Sequence, residues 1–153
     1  LEILQVALQL RTGLAPGDFV FFPPSFEKDQ RQVEQAMLAF KSFLVKRPDS
    51  KYAADARKLL EITRNRLAAH EWYVAEFYFK RDHWAGAAGR LETLLKEYPG
   101  SRYEPEALLM LARAYLGRDE EFRAQQTLQR FLARHPDDPR RPEAEALLAG
   151  LRR

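Results

Sequence analysis

The stretch Arg64-Asn65-Arg66-Leu67-Ala68-Ala69-His70-Glu71-Trp72-Tyr73-Val74-Ala75-Glu76-Phe77-Tyr78-Phe79-Lys80-Arg81 decides the fold of this chain. It places five of the eighteen aromatic residues between positions 72 and 79. No glycine or proline stands between Asp49 and Ala85. Nothing local therefore stops a helix over 52–81, about thirty residues and roughly 45 Å long. Shorter helical patterns flank it on both sides, and none of them could bury its own apolar face alone.

Working toward the N-terminus, residues 30–46 carry Val33, Ala36, Met37, Phe40, Phe43 and Leu44 at helical spacing. Asp29 reads as the N-cap of this helix, with Gln32 completing a capping box. Pro48 and Asp49-Ser50 end it and start the long helix. Residues 1–12 also carry a helical pattern, which Gly13 stops. Residues 13–28 then read as a loop whose Phe19, Val20, Phe21 and Phe22 either pack on neighbouring helices or meet a partner, with packing favoured.

Toward the C-terminus, Asp82 reads as the cap of a helix over 83–97, closed by Tyr98-Pro99-Gly100. Ser101 and Glu104 offer a capping box for 102–117, with Pro105 in its first turn. Asp119 is read as the cap of a helix over 120–135, and a short capping helix is expected at about 141–152. No segment alternates as a strand would, so the fold class is all-α.

The punctuation is periodic. Counting back from Pro48, Pro99 and Pro136, a small residue stands twelve before (Ala36, Ala87, Ala124). Large apolar residues stand eight before (Phe40, Leu91, Leu128) and five before (Phe43, Leu94, Phe131). In the last two units an alanine lies twenty-four before (Ala75, Ala112) and a tyrosine twenty-one before (Tyr78, Tyr115). This is the grammar of tetratricopeptide (TPR) repeats: antiparallel helix pairs, with alanines where the backbones approach and larger residues in the gaps. Pro99 to Pro136 spans one repeat of 37 residues, whereas Pro48 to Pro99 spans 51. The excess extends the central repeat's first helix N-terminally by residues 52–68. The expectation is one helical-hairpin solenoid domain of about three repeats: an irregular one over 1–48, a long-helix repeat over 52–99, a regular repeat over 102–136 and the capping helix.

Composition sets the outer limits. At 46% apolar and 31% charged, with 25 basic and 22 acidic residues mixed along 153 positions, the chain suits a globular domain with solvated helix faces. Nucleic-acid binding would want a basic cluster, and none stands out before the last arginines. Cysteine is absent, which removes disulfides, thiolate metal sites and a cysteine nucleophile. His70, His83 and His135 have no ligand-like spacing, and His70-Glu71 lacks the second histidine of a zinc-protease motif. No phosphate-binding glycine loop or nucleophile elbow occurs. The Glu120-Glu121 pair sits at a helix start, where the helix dipole accounts for it. Trp72, Tyr73 and Phe77 are expected in the core. The reading is a non-enzyme with no cofactor, no metal and no small-molecule substrate. No run of eighteen apolar residues spans a membrane. Leu1 opens inside an amphipathic pattern without a leader, so the chain reads as part of a longer one.

Asn65-Arg66-Leu67-Ala68, Val74-Ala75-Glu76-Phe77-Tyr78 with Lys80-Arg81, Arg90-Leu91-Glu92 and Tyr98-Pro99 resemble the BamD (ComL-like) family of the outer-membrane β-barrel assembly (BAM) machine. Phe21-Phe22, Asp29-Gln30, Ala36, Ala39-Phe40 and Pro48-Asp49-Ser50 extend that resemblance over roughly residues 20–135. The long inserted helix makes it more specific than a generic repeat. The resemblance implies a TPR lipoprotein scaffold on the periplasmic face of the outer membrane, held by an N-terminal lipid anchor absent from this chain. Its implied partners are the POTRA region of BamA and the other lipoproteins of the machine. Arg90 matches a family arginine associated with BamA docking. Lys80, Arg81 and Trp84, in the adjacent turn, complete the expected protein-binding set, an aromatic anchor beside arginines. A different TPR adaptor (of the cell-division or pilus-assembly type), or an accessory domain of an enzyme, is the alternative.

Overall fold

The computed structural model describes residues 26–151, and every regular element among them is helical. The readings made for residues 1–25, including the aromatic segment 19–25, lie outside the described residues. The elements are α1 (Phe26–Lys46), α2 (Ala53–Phe79), α3 (Trp84–Glu97), α4 (Glu104–Gly117), α5 (Glu121–Arg134) and α6 (Arg141–Leu151). The described residues divide into two compact units, one ending at Leu67 and the other beginning at Ala68. The division falls within α2, close to where the inserted length was expected to meet the ordinary repeat helix.

In the first unit, Ala36, Phe40 and Ala56 form a buried cluster, with Phe43, Leu44, Leu59 and Leu60 packed against it. The alanines let the helices approach while the phenylalanines fill the remaining space. Thr63, fully buried on α2, donates its hydroxyl to the carbonyls of Leu59 and Leu60, so its oxygen is satisfied within its own helix.

In the second unit α4 packs against α3 and α5, and α6 packs against α5. Its core is the repeat grammar made physical. Ala75, Ala87, Leu91, Leu94, Ala112, Ala124, Leu128 and Phe131 are all fully buried, and Tyr115 nearly so. The helices repeat at the expected interval. α3 and α5 start and end 37 residues apart, at Trp84 and Glu121 and at Glu97 and Arg134. α6 closes the stack with Ala144 and Leu148 buried.

Four helix starts differ from the sequence reading. α1 begins at Phe26, so Asp29 lies inside the helix and is not its cap; nothing in Phe26-Glu27-Lys28 opposes helix formation. Asp82 and Asp119 are not N-caps either. Both take left-handed backbone conformations, φ 54° and 58°. Each closes the preceding helix: His83 N–H donates to Tyr78 O and Asp82 N–H to Phe79 O, and Glu120 N–H to Tyr115 O and Asp119 N–H to Leu116 O. These paired bonds are the Schellman closure, with aspartate occupying the position glycine usually takes. The N-caps are His83, whose Nδ1 accepts from Gly86 N–H at 3.1 Å, and Glu120. Finally, α4 starts at Glu104 behind Tyr103, so Ser101 is not its cap. Neither half of the expected box forms: Ser101 N–H donates to Tyr98 O, and the Glu104 carboxylate accepts from Gly100 N–H instead.

Candidate functional site

The expected protein-binding residues all belong to the hairpin of α2 and α3. That hairpin's geometry follows from its turn. The Schellman closure ends α2 at Phe79, and the Asp82 kink reverses the chain. The His83 cap then starts α3 one residue before Trp84. Lys80 and Arg81 are thereby left at the tip, exposed.

Each of the four residues has a partner of its own. Lys80 Nζ lies 3.2 Å from the Glu76 carboxylate, an exposed pair one turn apart. Such a pair is worth only a few tenths of a kcal/mol. Arg81 donates to Phe77 O at 3.0 Å and lays its guanidinium 3.6 Å above the Phe77 ring. Phe77 itself is 52% exposed. It is therefore not the core residue the sequence suggested: its position on α2 faces outward, and the arginine covers one ring face. The stacked pair presents a flat, weakly hydrated surface, a composition favoured at protein interfaces.

Arg90 on α3 is half exposed, and its Nη1 stands 3.4 Å from Oε2 of Glu71 on α2. The Glu71 carboxylate is buried, so it needs that cation more than the cation needs it. Beside it, burial holds the His70 imidazole below its ordinary pKa; Glu71 opposes that shift and Arg90 adds to it. The result is an arginine anchored from below with its outer face open to solvent.

Trp84 is placed differently. Its indole meets Phe79 edge-on, with centroids 5.0 Å apart, and covers Gly117 of α4. It is half-buried packing between repeats more than a free anchor. Trp72 stacks on Tyr103 at 6.1 Å, yet it and Tyr73 are only partly buried, so neither is the fully enclosed core residue expected. Among the described residues no hydrogen bond or ion pair joins Lys80, Arg81, Trp84 and Arg90 to one another. No group of three or more histidine or acidic side chains among them could hold a metal ion. No helix among them is long and apolar enough to cross a membrane. Sequence reasoning missed the Phe77–Arg81 stack, although an aromatic and an arginine four apart at a helix end was the available signal. It also missed Glu71, whose burial beneath Arg90 depends on the repeat register of two helices.

Comparison with known proteins agrees with this architecture. The profile of a family described as outer membrane lipoprotein (YfiO) matches residues 13–121 and 85–150. A protein of Xylella fastidiosa named outer membrane protein assembly factor BamD is 36% identical over 112 residues, covering 73% of this chain and 38% of that one. The protein of the same name from Neisseria meningitidis serogroup B is 31% identical over 113 residues, 74% of this chain and 42% of its own. That of Caulobacter vibrioides is 32% identical over 96 residues, 61% and 32% respectively. The chain thus spans about two fifths or less of the length of these relatives. With a profile that covers nearly all of its described helices, the chain belongs to the BamD (YfiO) family of outer membrane lipoproteins.

Proposed function

We propose that this chain is a protein-docking scaffold of the outer-membrane β-barrel assembly machine. It works from the periplasmic face of the outer membrane and engages the POTRA region of BamA. The observation that carries the reading is Arg90, half exposed and braced by the buried Glu71 carboxylate. A cation fixed from beneath loses little side-chain entropy when a partner carboxylate meets it. Arg81, stacked over the exposed Phe77 on the same hairpin, adds a pre-ordered apolar and cationic surface. Lys80 contributes charge at the rim, where it affects the association rate more than the strength of the complex. Trp84 serves by holding α3 against Gly117, keeping the hairpin in shape.

The test is direct binding of the chain to a BamA POTRA fragment, followed by calorimetry. Arg90→Glu would set two carboxylates against each other, so Arg90→Gln and Arg81→Glu are the informative variants. A tenfold or greater loss of affinity with an unchanged circular dichroism spectrum is expected from each. Wild-type affinity in both variants would remove this hairpin from the interface.

A further inference from the structure

The three turns that follow a helix and carry the repeat proline occupy equivalent positions but are chemically unlike. In the second, Tyr98 before the proline is buried. In the third, Arg134 pairs with Glu104 at 2.9 Å, and Arg140 is engaged by Asp138 and by Glu106. In these two turns the aromatic is buried and the arginines are ion-paired.

The first turn, Val45-Lys46-Arg47-Pro48-Asp49-Ser50-Lys51-Tyr52, faces outward. Val45 is 82% exposed and Tyr52 53%. Arg47 stands exposed where Tyr98 is buried in the next unit. The ion pairs of the described residues include none of Lys46, Arg47 and Lys51. Lys51 instead lies 5.0 Å from the Tyr52 ring centroid. The segment is folded tightly, with Ser50 N–H donating to Arg47 O, Ala53 N–H to Ser50 O and Tyr52 N–H to Ser50 Oγ. Arg57 braces it by donating to Pro48 O. Three cations against one acid, with an aliphatic and a tyrosine, therefore project from an ordered turn.

We propose that this turn is a membrane-contact site that rests on a phospholipid surface bearing anionic headgroups. Charge complementarity selects the occupant. Clustered lysine and arginine are drawn to anionic lipid, and tyrosine and valine suit the interfacial layer beneath the headgroups. The segment is a projecting turn, which fits a flat, laterally mobile surface. Attraction of this size is weak alone, roughly fivefold in partition per cation. It acts to orient a protein held near the surface by other means, as the family description of outer membrane lipoprotein allows. The site lies in the first unit and is independent of the docking hairpin.

The experiment is co-sedimentation of the chain with vesicles of phosphatidylethanolamine and phosphatidylglycerol, against vesicles of phosphatidylcholine alone. Binding to the anionic vesicles only, weakening as salt rises, is expected. Lys46→Glu with Lys51→Glu should cut the partition at least tenfold. Lys96→Glu with Arg130→Glu, the same change in net charge elsewhere, should leave it within about twofold. Tyr52→Ser should weaken binding at every salt concentration without altering its salt slope, which a purely electrostatic contact would not show. Equal binding to both vesicle types overturns the proposal, as does equal loss in both charge-reversed pairs. So does failure to bind vesicles while an oligoglutamate peptide is bound through the same lysines, which would assign the turn to an acidic protein segment.

Discussion

The indole of Trp84 lies flat over Gly117, with ring carbons 2.6 and 2.7 Å from where a Cβ on that glycine would stand. α3 can approach α4 at this point only because residue 117 has no side chain. Gly117→Ala should therefore displace the ring or part the helices, at a cost of about 1–3 kcal/mol. Thermal denaturation should show a lowered midpoint, with tryptophan emission shifting to the red as the ring gains water. An unchanged melt and spectrum would mean that the ring is not seated there.

Gly89 gives the opposite expectation. It sits inside α3, and a Cβ built on it meets nothing within 4 Å. Gly89→Ala should stabilise the protein by about 0.5–1 kcal/mol, since the unfolded chain loses freedom while the helix gains a better former. The two glycine variants form an internal control, because the same chemical change is expected to act with opposite sign. Denaturant midpoints measured side by side would read the difference.

Ala112, completely buried in α4, tests the repeat register. Ala112→Trp asks a helix contact shaped for a methyl group to accept an indole, and the melting temperature should fall sharply. Ala75, its counterpart one repeat earlier, is equally buried and should respond alike. Tolerance at both positions would contradict the register.

The register was legible because packing imposes it: apart from Phe43 and Tyr78, which are only partly buried, the residues counted back from each proline are ones the core encloses. Helix starts were less legible. Asp82 and Asp119 each precede a helix, and an aspartate there suits an N-cap as well as a left-handed helix end. Only the hydrogen bonds to Tyr78 and Tyr115 decide between them. The candidate site was half legible. Arg90 and Arg81 stood out in the sequence, but Glu71 as a brace and Phe77 as an exposed platform depend on which way each position faces once α2 and α3 pair.

Burial lowers the pKa of His70 in the folded state. The folded protein thus favours the neutral imidazole, and the unfolded chain binds the proton more readily. The stability this provides is complete above the unfolded pKa, near 6.5, and is lost as pH falls from there through the folded value. Wild type should lose stability between about pH 7 and pH 5 more steeply than His70→Gln. Chemical denaturation across that range checks it; parallel profiles would remove His70 as a source of acid sensitivity.

Glu104 gives a further stability expectation. It is the first residue of α4, only 1% exposed, and its carboxylate accepts from Gly100 N–H while standing 2.9 Å from Arg134 Nε and 3.4 Å from His135 Nε2. One side chain therefore ties the start of α4 to the end of α5. Arg134 is about half exposed and Gly100 is exposed, so water can compensate part of their loss, but the buried space left by the carboxylate has less recourse. Glu104→Ala should cost about 1–2 kcal/mol, through the lost hydrogen bond and ion pair and the space left in the turn. Glu104→Gln keeps an acceptor for Gly100 and loses only the charge, so its cost should be smaller. Arg134→Ala, which strips the carboxylate of its cation while the rest stays packed, should fall between wild type and Glu104→Ala. Urea midpoints of the three variants give the ranking; equal midpoints for Glu104→Ala and wild type would show that the turn, and not this carboxylate, holds the two helices in register.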